Sequence, residues 1–119
     1  MTAKHLLAAV ALTLVSPLAF AHAHLKAQEP AADATVATPA QLTLSFSEGI
    51  EPGFSSVSVT AADGKHVELK PLTTAAGDKK TLIVSPAEPL AAGTYQVYWQ
   101  VLSVDTHKSA GDYRFTVGR

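Results

Sequence analysis

Apolar residues occupy every second position along much of this chain, and that period of two constrains the fold more than any other feature. The clearest case is the segment TYQVYWQV, where Tyr95, Val97, Trp99 and Val101 follow this spacing. Successive side chains of a β-strand point to opposite faces of the sheet, so a strand with one buried face shows such alternation. The same spacing predicts four further strands: QLTLSFS, SVSVT, HVELK and DYRFTV. The short apolar run TLIVS predicts another strand, buried on both faces.

The segments between these strands have the composition of turns. They are rich in Gly, Pro and Asp, as in SPAEPLAAGT, and Asp63-Gly64 between two alternating segments favours a hairpin. No window of ten or more residues after His22 has helical periodicity. Short strands separated by such turns are typical of an antiparallel β-sandwich or a small Greek-key barrel. We therefore predict an all-β domain with Trp99 in its core.

Residues 1–21 have the pattern of a secretory signal peptide. A charged start at Lys4 precedes the apolar segment LLAAVALTLVSPLAF, and Ala19 and Ala21 form an A-x-A cleavage motif. The apolar segment is shorter than the roughly 20 residues that a membrane-spanning helix needs, although a retained anchor is the alternative. We therefore expect export and no membrane insertion after cleavage.

Cleavage after Ala21 would leave residues 22–119 as one domain that begins with His22. A second A-x-A motif allows a cut after Ala23 instead. The chain has no cysteine, so the exported domain would fold without disulfides and depend on its core.

Charge and sulfur content narrow the classes of partner. The formal net charge is −1, with acidic and basic residues interspersed, which argues against nucleic acid or an anionic membrane surface as the main partner. Met1 is the only methionine, so the processed domain has no sulfur ligand. A metal site in this domain must therefore use nitrogen and oxygen atoms.

Three residues are candidate metal ligands. Cleavage after Ala21 would give His22 a free α-amine beside its imidazole, and both can bind one ion after losing their protons. Asp105 and His107 lie two residues apart near the end of the Trp99 strand, so we expect both side chains on one sheet face. Together these groups offer three nitrogens and one oxygen, a set that suits tetragonal Cu(II) and binds it more tightly than Zn(II). The alternatives are a frayed terminus and a solvated loop.

His24 introduces a second coordination mode. A free amine followed by two amides and a histidine at the third residue can wrap Cu(II) through backbone nitrogens, which leaves Asp105 and His107 unused. Otherwise His24 lies on the first strand, as an extra ligand or as a neighbour of the ion. His66 follows the Asp63-Gly64 turn, where we expect an exposed hairpin residue.

The order of these motifs resembles the CopC family of copper-resistance proteins. A signal peptide is followed by HAHL, EPA, LTLSFSE and the pattern GxYxVxWxVxSxDxHxxxGxxxFxV, which begins at Gly93. The resemblance covers essentially the whole processed chain and implies a small periplasmic β-sandwich of Greek-key, cupredoxin-like topology that binds copper. It also implies that His22, Asp105 and His107 hold Cu(II), and that Glu48 of the FSE segment supports the site from nearby.

The sequence therefore predicts a monomeric periplasmic protein that binds one Cu(II) ion per chain and is not an enzyme. It would sequester copper or pass it to a membrane copper transporter or another periplasmic copper protein. Some members of the resembled family bind Cu(I) through a methionine-rich loop, and the lack of these methionines here predicts Cu(II) alone. Two rival hypotheses remain: a copper oxidase resembling lytic polysaccharide monooxygenases, and an immunoglobulin-like interaction module whose histidines are incidental.

Overall fold

Eight β-strands make up the fold in the computed structural model, which describes residues 23–118. In chain order they are β1 (Leu25–Glu29), β2 (Thr35–Val36), β3 (Leu42–Phe46), β4 (Ser56–Ala61), β5 (Thr73–Ala75), β6 (Asp78–Val84), β7 (Gly93–Leu102) and β8 (Lys108–Val117). A 3-10 turn at Pro52–Phe54 precedes β4. Within residues 23–118 no helix has the length and apolar character to cross a membrane. The predicted signal peptide of residues 1–21 and the ligand His22 lie outside the described residues and stay predictions.

The strands form two four-stranded sheets. One sheet has the order β1-β3-β6-β5 and the other has the order β2-β8-β7-β4. Only the short pairing of β2 with β8 is parallel, and every other strand pair in the described range is antiparallel. Most connections cross from one sheet to the other, which is the Greek-key arrangement of β-sandwiches. The predicted all-β, antiparallel Greek-key sandwich is confirmed.

The core lies between the two sheets and is built from alternate residues of the long strands. Trp99 of β7 is buried and packs edge-on against Phe46 of the facing sheet, with ring centroids 5.1 Å apart and an interplanar angle of 74°. Its indole ring lies over Gly111, the residue paired with it on β8. The predicted core position of Trp99 is confirmed, and the close contact explains why residue 111 carries no side chain.

Five of the six predicted strands coincide with β3, β4, β6, β7 and β8. The strand predicted for HVELK is wrong, because only single bridges join His66 to Thr60 and Leu69 to Pro86. This segment leaves the edge of one sheet and crosses to the other, so it cannot pair along its length with one strand. The predicted Asp63-Gly64 turn is present, with Gly64 at a φ of 89°.

The prediction that TLIVS is buried on both faces is also wrong. This run lies in β6, where Leu82 and Val84 are fully buried but Ile83 is partly exposed. The sandwich has two layers, so each sheet buries only its inner face. The strand therefore alternates in burial although its sequence does not alternate in polarity.

Tyr95 fixes the beginning of β7. Its ring is buried and its hydroxyl donates to the backbone carbonyl of Ala91, at 2.6 Å. A tyrosine that bonds back to the preceding connection is a known feature of Greek-key sandwiches. The bond ties the connection to the strand at one end of β7, and the other end of β7 leads to the candidate site.

Candidate metal centre

A tight turn between β7 and β8 carries the two predicted ligands Asp105 and His107. The Ser103 N–H donates to the His107 carbonyl at 2.9 Å, and the Thr106 N–H donates to the Ser103 carbonyl at 2.8 Å. Thr106 has a φ of 70°, in the left-handed region. These backbone bonds close the turn. The position of the turn is fixed by β7 and β8, which pair along their whole length on either side of it.

Asp105 and His107 lie against each other on this turn. Oδ1 of Asp105 and Nδ1 of His107 are 3.4 Å apart, and the two side chains are 46% and 44% exposed. The expectation that both lie on one face of a strand is wrong, because both lie in the turn after β7 ends and before β8 begins, and the chain reverses at Thr106. The turn, not the alternation of a strand, brings the carboxylate and the imidazole together where solvent reaches them.

Ser103 organises this turn from inside the protein. It is fully buried, and its hydroxyl donates to Oδ1 of Asp105 and accepts from the His107 N–H, at 3.3 Å for the latter. The Ser103 hydroxyl holds the pKa of the Asp105 carboxyl below its ordinary value. Desolvation opposes this effect, and the neighbouring His107 reinforces it. The carboxylate is therefore ionised at neutral pH and held in place by a buried hydroxyl.

The N-terminal segment reaches the same end of the sandwich. The hydroxyl of Ser109, two residues after His107, donates to the Ala23 carbonyl at 2.9 Å. The His24 N–H donates to Oγ of Ser47 at 2.9 Å, and the Ser47 N–H donates to the His24 carbonyl at 2.9 Å. Ala23 is buried, whereas His24 is exposed. Ala23, which is covalently bonded to His22, is thus anchored to β8, the strand that begins after His107.

Glu48 lies in the loop that runs beside the turn. It is partly buried, and the residues that follow it pair with the turn. The Val104 N–H donates to the Gly49 carbonyl at 2.9 Å, and Ile50 forms a bridge with Ser103. The structure places Glu48 at the same end of the sandwich as the two predicted ligands, and its supporting role stays a prediction.

The described residues do not form a complete metal site by themselves. Within residues 23–118 no three His, Cys, Asp or Glu side chains are close enough to hold one ion. Asp105 and His107 supply one oxygen and one nitrogen, and a tetragonal Cu(II) site needs about two further donors. The other predicted donors, the imidazole and α-amine of His22, lie outside the described residues.

Three serines of this end were not assigned a role from the sequence. Ser103 donates to the Asp105 carboxylate. Ser47 accepts from the His24 N–H, and Ser109 donates to the Ala23 carbonyl. Ser103 precedes a carboxylate by two residues within SVDTH, a spacing that suits a side-chain bond in a turn. The partners of Ser47 and Ser109 are 23 and 86 residues away, so no local pattern indicates them.

His66 lies away from this site. It is exposed and forms a bridge with Thr60, whose partner on β7 is Gln96, toward the start of that strand. The site is at the opposite end of β7. The expectation that His66 is an exposed hairpin residue is confirmed.

Known proteins resemble the chain along nearly its whole length. The family model described as the CopC domain matches residues 25–118. Protein YobA of Escherichia coli (strain K12) is 45% identical over 115 residues, which cover 96% of this chain and 93% of that protein. A copper resistance protein C of Xanthomonas campestris pv. juglandis is 41% identical over 113 residues, covering 91% of this chain and 89% of the relative.

A solved structure shows the same fold. The crystal structure of PcoC, described as a methionine-rich copper resistance protein from Escherichia coli, matches with a TM-score of 0.73 and 39% identity. The match covers 82% of this chain and 99% of PcoC. Sequence, fold and the order of motifs agree, and the chain belongs to the CopC family.

Proposed function

We propose that the processed chain, beginning at His22, binds one Cu(II) ion through the imidazole and α-amine of His22 together with Asp105 and His107. The observation that carries this proposal is the shared location of the pair and the anchored N-terminal segment. Asp105 and His107 are 3.4 Å apart at the end of the sandwich where Ser109 holds Ala23. Consecutive Cα atoms are about 3.8 Å apart, so residue 22 begins one short step from Ala23. The names of the relatives, which are copper resistance proteins, support copper as the metal.

The chemistry of binding is capture by a partly preformed site. Ser103 and the backbone bonds of the turn hold the carboxylate and the imidazole before the ion arrives. The N-terminal amine and imidazole then complete a set of three nitrogens and one oxygen. Both must lose protons to bind, and their ordinary pKa values are about 7.7–8.0 and 6.5. Affinity therefore falls as the pH drops through this range.

The donor set favours one oxidation state of copper. PcoC is described as methionine-rich, whereas Met1 is the only methionine of this chain and would leave with the signal peptide. Thioether and thiolate sulfurs are the ligands that stabilise Cu(I), and nitrogen and oxygen donors in a tetragonal array suit Cu(II). We infer that the chain holds Cu(II) alone and releases the metal when it is reduced.

The biological role that fits this chemistry is copper sequestration, resistance or delivery in the periplasm. The protein would act as a monomer and without catalysis, and its partner in delivery would be a membrane copper transporter or another periplasmic copper protein. Glu48 would support the site from the adjacent loop. Proposed cleavage after Ala21 is essential, because the α-amine of residue 22 exists only after that step.

A Cu(II) titration followed by electron paramagnetic resonance (EPR) tests the proposal on protein whose first residue is His22. We expect one equivalent of Cu(II) with a three-nitrogen, one-oxygen spectrum. Removing a ligand as in Asp105→Ala or His107→Ala, or adding one residue before His22, should weaken binding by on the order of 100-fold or more. The matched control is His66→Ala, which removes an exposed histidine from the opposite end of the sandwich.

Two results would overturn the proposal. The first is unchanged affinity and an unchanged spectrum in both Asp105→Ala and His107→Ala, which would remove the turn from the site. The second is copper-dependent peroxide production on a polysaccharide by the wild-type protein, which would make the chain an oxidase.

A further inference from the structure

The peptide group that joins Ala23 to His24 is held on both sides by serine side chains. Its carbonyl oxygen accepts a hydrogen bond from Oγ of Ser109, and its N–H donates to Oγ of Ser47, both at 2.9 Å. Ser47 follows β3 of one sheet, and Ser109 lies in β8 of the other. The peptide group is therefore held by residues that belong to two different sheets. We call these two serines and their bonds the peptide clamp.

The two coordination modes open to an N-terminal His-Ala-His segment make opposite demands on this peptide group. In the wrapping mode the ion binds the amine, the backbone nitrogens of Ala23 and His24, and the His24 imidazole, and the two amide protons pass to solvent. The His24 nitrogen then has no hydrogen to donate to Ser47. In the mode that uses Asp105 and His107, this peptide group binds nothing and its hydrogen bonds stay intact.

We propose that the peptide clamp of Ser47 and Ser109 selects the coordination mode, by keeping the backbone nitrogen of His24 away from Cu(II). The donors of His22 are thereby directed to the Asp105–His107 pair. This inference rests on the proposed function, since it assumes that Cu(II) binds at the processed N-terminus. It gives Ser47 and Ser109 the role of positioning residues, and it gives the His24 side chain no ligand role in the folded protein.

The burial of the neighbouring residue agrees with this assignment. Ala23 is 2% exposed and packs with the core cluster, whereas the wrapping mode places its backbone nitrogen in the coordination plane. The Ser47 N–H also donates to the His24 carbonyl, which continues the pairing of Leu25 with Phe46. Wrapping an ion therefore requires release of the segment from both serines and from the start of β1.

The size of the effect follows from the number of bonds that must break. A hydrogen bond between neutral groups contributes about 1 kcal/mol net, equivalent to about five-fold in an equilibrium constant. Loss of one serine hydroxyl should raise the ratio of wrapped to turn-bound Cu(II) about five-fold. Loss of both should raise it by about 30-fold if the two bonds act independently.

The experiment compares EPR spectra at one equivalent of Cu(II) in protein that begins at His22. Wild type should show the three-nitrogen, one-oxygen form, and Ser47→Ala with Ser109→Ala should gain a four-nitrogen form. Adding His24→Ala to that double variant should remove the four-nitrogen form again. Ser109→Thr keeps the hydroxyl and should keep the wild-type ratio. The matched control is Ser45→Ala, because the Ser45 hydroxyl lies 3.3 Å from that of Thr81 and is outside the clamp.

A measurement without metal tests the clamp itself. The His24 amide should exchange its hydrogen slowly in the metal-free protein and about five-fold faster in Ser47→Ala. Exchange at the rate of an unstructured peptide in wild type would overturn the clamp. So would a double serine variant that is folded by near-ultraviolet circular dichroism and keeps the wild-type spectrum with copper.

The outcomes separate this inference from the proposed function. If wild type binds Cu(II) through Asp105 and His107 and the serine variants change nothing, the clamp is wrong and the function stands. If wild type already shows four nitrogens and ignores Asp105→Ala, the proposed site and the mode selection are both wrong.

Discussion

Gly111→Ala should disrupt the core beneath Trp99. A Cβ atom at residue 111 would lie 2.5 Å from Cζ2, 2.8 Å from Cε2 and 3.1 Å from Nε1 of the indole. The first two distances are far inside normal carbon–carbon contact. Movement of the indole is restricted, because Trp99 is 8% exposed and packs against the ring of Phe46 at a centroid distance of 5.1 Å.

The magnitude follows from two opposing effects. Inserting a methyl group into a packed core costs about 1–3 kcal/mol, and a rigid ring at this distance places Gly111→Ala in the upper part of that range. Alanine also restricts the unfolded chain, which returns about 0.4–1 kcal/mol. The expected net loss in the free energy of unfolding is about 2 kcal/mol. For a domain of this size that corresponds to a fall in Tm of roughly 8–16 °C.

Thermal unfolding followed by circular dichroism and by the fluorescence of the single tryptophan measures this effect. Gly53→Ala is the matched control, because a Cβ atom there has nothing within 4 Å and its φ is not in the left-handed region. The control should be neutral or gain up to about 1 kcal/mol. A Gly111→Ala protein that melts within 2 °C of the control, a margin of about 0.5 kcal/mol or less, would refute the packing derived for Trp99.

Four further predictions concern hydroxyl groups of the core and the site. Tyr113 is buried, and its hydroxyl has no hydrogen-bond partner among residues 23–118. Tyr113→Phe should therefore stabilise the fold by about 1 kcal/mol in urea unfolding. A loss of stability in this variant would contradict the prediction. Burial raises the pKa of Tyr113 above its ordinary value. The wild type should therefore lose stability as the pH rises past about 10, because the tyrosine ionises there in the unfolded chain. Tyr113→Phe should lose less stability over the same pH range. Tyr95→Phe should instead cost about 1–2 kcal/mol, because that hydroxyl donates to Ala91, and equal behaviour of the two variants would refute the contrast. Ser103→Ala should raise the pKa of Asp105 toward its ordinary value, as measured by a carboxyl NMR titration. It should also weaken Cu(II) binding about 10-fold. Unchanged affinity would show that Ser103 does not position the carboxylate.

Much of the fold could be predicted from the sequence, because alternation is a local property. β3, β4, β7 and β8 each have an inward face that repeats at every second residue, and each was found where the pattern indicates. The short strands β1, β2 and β5 have no such pattern, and their pairing is decided by neighbours far away in the chain. HVELK alternates like a strand but crosses between the two sheets. No local sequence pattern distinguishes such a crossing segment from a paired strand.

The residue types of the candidate site could also be predicted from the sequence, but their spatial arrangement could not. Asp105 and His107 were paired for the wrong reason, since a strand was expected and a turn was found. That turn depends on the left-handed backbone of Thr106, a non-glycine residue that rarely adopts it. The buried position of Ser103, which closes the turn, follows from the packing of both sheets.

The sequence by itself determined the all-β class, the lack of sulfur ligands after the proposed cleavage, and the nitrogen and oxygen donors on which copper would depend. These are properties of composition and of short-range spacing. Tertiary structure alone decided that the N-terminal segment meets the β7–β8 turn, since Ser109 bonds to Ala23 across 86 residues. It also holds the Ala23–His24 peptide between two sheets, because a hydrogen bond between distant residues exists only after the strands that carry them have packed.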